Sequence, residues 1–313
     1  MNITHDRKEG YSGSFKKAEI ADIIFYALLI AWPILHFSIF YIGVNFNAIM
    51  LCFQKYDTVT GELSWDWTYN FQKVFFNFSF DSLMKTSIKN SVFIYFVGLI
   101  FTLPMGQILS FYIYRKMRGF RFFKVVLFLP GIIPGIVIIL IFKYCTDRIL
   151  PDLMFKYFDI EFTGLLSNVG TALYTQMFFA IWTSFGSTML VYSSNMTSAV
   201  NESCVEAAKL DGANALQEYL HVVFPAIYNT FAIYFVMGFI GLFSDQLQLY
   251  SLYGEAADPQ LYTIGYYVYR NTLVASKFDY PFLSAIGMCL TVIIAPLALG
   301  LRRLLDKIGP STD

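Results

Sequence analysis

The residues that could do nucleophilic, acid–base or metal chemistry are few. The histidines are His5, His36 and His221; the cysteines are Cys52, Cys145, Cys204 and Cys289. No two cysteines form a CxxC pair, and no histidine stands beside one at metal-ligand spacing, so all four read as thiols in apolar settings. There is no HExxH and no GxSxG, which argues against an intramembrane hydrolase. There is no GxxxxGK[ST] either, so this chain has no phosphate loop of its own. One carboxylate stands out: Asp245, in FIGLFSDQLQLYS, at the end of a long apolar run. A charge there either lies just beyond the hydrocarbon or lines a polar cavity.

The elements that must position these residues are apolar. Hydrophobic residues make up 57% of the 313 and charged ones 14%, with net charge +0; mean hydropathy is +0.55. A soluble domain averages about 25% charged. Six runs reach the roughly 20 residues needed to cross a bilayer: 20–46, 91–114, 122–144, 172–196, 226–250 and 281–301. The chain is therefore expected to be an all-α membrane protein of six transmembrane helices. The first run has no small-residue cleavage site and reads as an uncleaved span rather than a signal peptide. RKMRGFRFFK between the second and third runs and LRRLLDK after the last are dense in Lys and Arg. By the positive-inside rule both lie in the cytoplasm, with both termini. The organisation expected is a cytoplasmic N-terminal segment over 1–19, a membrane domain over 20–301 and a cytoplasmic tail over 302–313.

Several runs carry breaks. The third reads LFLPGIIPGIVIIL, with Pro130-Gly131 and Pro134-Gly135 in its first half. Proline removes a helix hydrogen bond, so this helix should kink or partly unwind, as a packing kink or as a hinge beside a translocation pathway. Pro33 and Pro104 sit in the first two runs. In the fourth, Trp182, Thr183, Ser184, Ser187 and Thr188 form a small-polar stripe that suits helix packing as well as substrate contact. The longest outer connection holds WDWTYNFQKVFFNFSF, read as an aromatic interfacial belt with a short amphipathic element; a docking surface for an external partner is the other reading. The connections 144–170 and 251–280 carry no pattern that decides their structure.

The most ordered polar stretch is EAAKLDGANALQEYLHVVFP, from Glu206 to Pro225, on the cytoplasmic side. Ser203, three residues before Glu206, gives a capping-box signature for a helix start. Asp211-Gly212 reads as a turn, and Asn214 with Gln217 as a second capping box. Leu216, Tyr219, Leu220 and Val223 then share a face at helical spacing. The result is a helix–turn–helix lying on the membrane. Its small-residue surface, Ala207, Ala208, Gly212 and Ala213, suits close packing against another protein, although a plain connecting hairpin has the same pattern.

This stretch resembles the EAA loop of ABC importer permeases: EAA, three residues, Gly, nine residues, then Ile-x-Leu-Pro. Glu206-Ala207-Ala208, Gly212 and Pro225 match, and Asp211 and Ala213 fit the fuller DGA form. Val222 and Phe224 replace Ile and Leu, and Asn229 stands where a second proline is often found. SIKNSV, residues 87–92, and RKMRGFRFFKVVLFLPGIIP are similar to stretches of carbohydrate-uptake permeases, in particular the first permease subunit of maltose- and glycerol-phosphate-type importers. The resemblance implies a multi-pass protein of a prokaryotic cytoplasmic membrane that is not itself an enzyme. It implies a second permease subunit, two nucleotide-binding ATPase subunits that use ATP and Mg, and an extracellular solute-binding protein. It implies no cofactor bound by this chain and a sugar cargo, an oligosaccharide. It assigns coupling to Glu206, Ala207, Ala208, Asp211, Gly212 and Ala213, within a coupling loop over 201–225. Thr188, Gly238, Gly241, Leu242 and Asp245 become candidates for the substrate pathway. A permease for a non-sugar solute and a secondary transporter are the other readings; the second would favour inverted repeats and paired intramembrane charges, which the sequence does not display.

Overall fold

A computed structural model describes residues 22–57 and 60–310; the expected N-terminal segment over 1–19 lies outside them. In chain order the elements are α1 (Asp22–Cys52), β1 (Gln54–Tyr56), β2 (Leu63–Trp65), α2 (Tyr69–Phe80), α3 (Ser82–Tyr114), α4 (Phe120–Ile132), α5 (Gly135–Phe158), α6 (Val169–Ala199), α7 (Glu202–Leu210), α8 (Ala215–Ser244), α9 (Leu249–Tyr253), α10 (Ile264–Val274) and α11 (Tyr280–Ile308). Among the described residues the helices α1, α3, α8 and α11 are long and apolar enough to span a membrane, and the bent pair α4–α5 makes a fifth. The sixth expected span, α6, has 31 residues but fails on hydropathy. The Thr and Ser side chains of its polar stripe, with Gln176, dilute it.

Proline is absorbed more often than it breaks a helix. Wide π-helical turns over Gly98–Thr102, Cys145–Ile149 and Tyr219–Val223 each end two residues before a proline, at Pro104, Pro151 and Pro225. A widened turn carries the preceding carbonyls out of register with the ring and accommodates the missing N–H. So α8 runs through Pro225 from Ala215, whereas the fifth expected span starts only at 226. The real break falls between the two Pro-Gly pairs. Ile133 and Pro134 are extended, with ψ 135° and 131°, and the chain bends by 103° between α4 and α5.

Other boundaries shift as well. α1 continues to Cys52 and α3 begins at Ser82, so SIKNSV is helical. α8 stops at Ser244 rather than 250. α11 runs to Ile308, so the residues expected to open a free tail at 302 are helical. Two connections on the side expected to be outer, the one read as an interfacial belt and the undecided 251–280, are structured. Residues 53–68 contain an antiparallel hairpin pairing Lys55 with Ser64, which the sequence did not suggest. Its base is closed by Asn70, whose Nδ2 donates to the Cys52 and Gln54 carbonyls at 2.9 and 2.7 Å. Beside it Asp66 accepts from the Thr68 and Tyr69 backbone N–H groups, which hold its carboxyl below the usual range. The connection 251–280 holds α10, and with it much of the outer core: Tyr262, Ile264 and Tyr266 pack with Met84, Leu249 and Ile286.

A second core lies at the other end of the helices, built from Phe111, Tyr192, Met196, Val205, Val223 and Ile227. Between these ends small residues bring helices close. A Cβ on Gly106 would meet Thr188 Cγ2 at 2.9 Å, and one on Gly186 the Leu127 carbonyl at 2.9 Å; α3 and α4 thus lie against α6 as small-residue interfaces allow. Among the described residues, α1 packs mainly through its end, Val44–Cys52, against α11, with further contact to β1. The tightest approach to backbone is at Gly265, where a Cβ would fall 2.4 Å from the Ser244 carbonyl oxygen. Because that neighbour is backbone, Gly265→Ala should destabilise the detergent-solubilised protein by about 1–3 kcal/mol. Gly287→Ala, with open space around its Cα, should melt within a degree or two of the parent. Equal melting temperatures for both variants would contradict this packing.

Candidate functional site

Two places gather the residues of interest: a helical unit at the inner core and a cavity nearer the outer one. The unit is α7, a turn and the start of α8. Its first cap differs from the expectation. Asn201, not Ser203, is the N-cap, accepting from Ser203 N–H at 3.0 Å, so α7 starts at Glu202. The second capping box is as expected, with Asn214 and Gln217 each accepting the other's backbone N–H at 2.9 Å. Between them α7 ends in a Schellman turn: Ala213 N–H donates to the Ala208 carbonyl and Gly212 N–H to that of Lys209. Gly212 has φ +78° with nothing near its Cα, so the backbone, rather than space, requires glycine.

The unit has an anchored face and a free face. Val205 and Val223 are buried in the inner core. Glu206, Ala207, Asp211 and Gly212 are exposed, Ala208 and Ala213 half-buried, and Leu210 is 89% exposed. The expected apolar face of α8 is only half correct: Tyr219 and Val223 pack inward, while Leu216 and Leu220 are exposed. A π turn begins at Tyr219 and rotates the residues beyond it, which a regular 3.6-residue period does not anticipate.

Two buried polar contacts tie the unit to the long helices. The Glu218 carboxylate, 2% exposed, sits 3.4 Å from the Arg115 guanidinium at the end of α3. The Tyr219 hydroxyl donates to Gln107 Oε1 at 2.5 Å, and Gln107 Nε2 donates to the Tyr192 hydroxyl at 3.5 Å. Tyr192 stacks on Tyr234 with ring centroids 5.1 Å apart. Asn229, at the position of the family's second proline, accepts from Arg302 at 2.5 Å and helps hold α8 to α11.

Tyr234 is also part of the cavity wall. The cavity encloses about 370 Å³ between α3, α6 and α8, within the usual size range of small-molecule sites. All five expected pathway residues, Thr188, Gly238, Gly241, Leu242 and Asp245, line it. Of the polar stripe on α6, Ser184 and Thr188 line it, although the Ser184 hydroxyl, like those of Thr183 and Ser187, donates to a carbonyl of its own helix. Sequence reasoning missed Ser91, Tyr95, Thr102, Tyr234 and Thr263. Tyr234 lies four residues before Gly238, hence on the same helix face, and was legible there. The others come from α3 and the 251–280 connection, where no sequence period points at a cavity. Among the described residues no cluster of three His, Cys, Asp or Glu is placed to hold a metal ion.

A family model described as "Binding-protein-dependent transport system inner membrane component" matches residues 94–312. The chain is 25% identical over 194 residues to the multiple sugar-binding transport system permease protein MsmF of Streptococcus mutans serotype c, across 61% of this chain and 65% of that protein, just under two thirds of its length. It is 23% identical over 299 residues to the arabinooligosaccharides transport system permease protein AraP of Bacillus subtilis strain 168, across 94% of this chain and 91% of that one. A crystal structure of a bacterial ABC transporter involved in the import of the acidic polysaccharide alginate contains a chain of the same fold, with TM-score 0.77 and 20% identity over 94% of this chain and 99% of that one.

The Arg115–Glu218 pair permits an asymmetric prediction. Arg115→Met leaves a buried carboxylate without its cation and should cost about 2–4 kcal/mol, somewhat below the fully buried case because Arg115 reaches solvent. Adding Glu218→Gln to Arg115→Met should restore most of that loss. A double variant melting no higher than the single one would show that the pair does not hold the unit.

Proposed function

This chain belongs to the family of binding-protein-dependent transport system inner membrane components, and from that premise we propose that it forms half of the translocation pathway of an ATP-driven sugar importer. The other half is a second, homologous permease subunit. Two separate ATPase subunits use ATP and Mg, and an extracellular binding protein delivers the cargo. Six spans cross the membrane, with both termini and the loop over 201–225 in the cytoplasm and the domain over 20–301 as the permease. The cargo is a saccharide, an oligosaccharide by analogy with the relatives' names.

The observation that carries this reading is the junction between unit and cavity. The free face of α7 and the Gly212 turn, bearing Glu206, Ala207, Ala208, Asp211, Gly212 and Ala213, is the part an ATPase subunit would grip. Its anchored face leads through Tyr219, Gln107 and Tyr192 to Tyr234 on the cavity wall. Push on a short helix fixed this way moves α3, α6 and α8 as bodies rather than bending one loop, because packed interfaces have discrete arrangements. Closure of the ATPases would press the unit inward and turn the cavity outward; release would return it. The chain's own part is mechanical. Thr188, Gly238, Gly241, Leu242 and Asp245 would meet the cargo as it passes.

Reconstituted with its partner subunits in proteoliposomes, Glu206→Lys and Gly212→Trp should each lower ATP-dependent uptake at least tenfold while the chain still inserts; normal uptake by both would end the coupling assignment. Cys204, exposed on α7, tests the topology. With the other cysteines replaced, a membrane-impermeant maleimide should label it only from the cytoplasmic side. Mass spectrometry of small molecules retained by the purified complex should recover a saccharide; amino acids or an oxyanion alone would overturn the cargo.

A further inference from the structure

We propose that the carboxylate of Asp245 makes this cavity select uncharged saccharides over saccharides that carry carboxylates; the inference rests on the saccharide reading of the cargo. The cavity wall carries no lysine, arginine or histidine, and Asp245 is its one ionisable acid. No ion pair neutralises Asp245 among the described residues. A polyanionic cargo would meet the like charge of an exposed carboxylate, with no cation beside it, on the wall of a half-open, largely apolar cavity. An uncharged sugar would meet an acceptor for its hydroxyls, with Ser91, Thr102 and Thr263 nearby and the rings of Tyr95 and Tyr234 to face its C–H surfaces.

The carboxylate is also built into place. Its Oδ1 accepts from Leu247 N–H at 2.8 Å, and the Asp245 carbonyl accepts from Thr263 Oγ1 at 2.8 Å. Leu247 and Gln248 both adopt left-handed backbone, φ +49° and +57°, a conformation that costs an L-residue energy and persists only where its surroundings enforce it. Gly265 closes the turn from behind, within a Cβ's reach of the Ser244 and Asp245 carbonyls. The fold neighbour's involvement with an acidic polysaccharide does not transfer, since 20% identity carries the fold and not the lining.

The test compares trigalacturonate with its trimethyl ester, the same backbone with its charges masked. Binding of each is measured by equilibrium dialysis to the intact complex in nanodiscs. The parent should bind the ester at least tenfold more tightly than the acid. Asp245→Asn, which keeps an acceptor for Leu247 N–H, should bring the two within about threefold, and Asp245→Glu should retain the preference. Equal binding by the parent, or an unchanged preference in Asp245→Asn, overturns the role of Asp245 and leaves the importer reading standing. Recovery of amino acids alone from the complex overturns the saccharide reading and this inference with it.

Discussion

Backbone N–H and C=O groups must find partners wherever water is absent, and this constraint shapes every departure from helix in the molecule. Where the chain leaves a helix at the outer end, a side chain from a distant segment replaces the missing bond. Asn90 donates to the Gln260 and Tyr262 carbonyls, Ser91 accepts from Ile264 N–H, and Thr263 donates to the Asp245 carbonyl. Lys143 donates to the Leu252 carbonyl and Tyr253 to that of Leu166. These bonds join α3, α5, α9, α10, the end of α8 and the loop before α6 into one outer assembly, and the cavity rim is a by-product of that joining. SIKNSV thus has a physical role: its Asn and Ser pin the 251–280 connection onto α3.

The two ends of the molecule are built differently. The outer end is a dense core with many polar clamps. The inner end is a smaller core held by the Arg115–Glu218 pair, the Tyr219–Gln107 contact and the Arg302 and Tyr228 bonds between α8 and α11, and its outermost unit shows an exposed, glycine-turned face. A part that transmits force needs such a division: firm attachment on one side and a shape offered to a partner on the other. The middle of the helices is only partly buried, and α1 is not buried at all through its most apolar window. Lipid or a companion subunit is the natural neighbour for such a surface.

Prolines illustrate why local rules read the chain only in part. The sequence marks Pro130 and Pro134 alike as places for a kink and places Pro104 within the second run. Three π turns absorb Pro104, Pro151 and Pro225, while the chain bends sharply only at Pro134. A π turn is chosen by what packs around it, and no residue pattern in the chain announces it.

Composition and period alone determined that this is an apolar helical chain, where its long runs lie, that a capped helix–turn–helix precedes the fifth run, and that Asp245 is an odd place for a charge. These are local properties, set by hydrophobicity, caps and the freedom of glycine. Tertiary structure decided the hairpin over 53–68, the core in the 251–280 connection, the cap at Asn201, the burial of Glu218 against Arg115, and the meeting of Asp245 with Thr263 and Gly265. The core in the 251–280 connection, the Arg115–Glu218 pair and the meeting at Asp245 depend on contact between segments far apart in the chain; the hairpin and the Asn201 cap are short-range choices among several local options. Such contacts are selected by shape and by the need to satisfy buried polar groups, and neither leaves a period in the sequence.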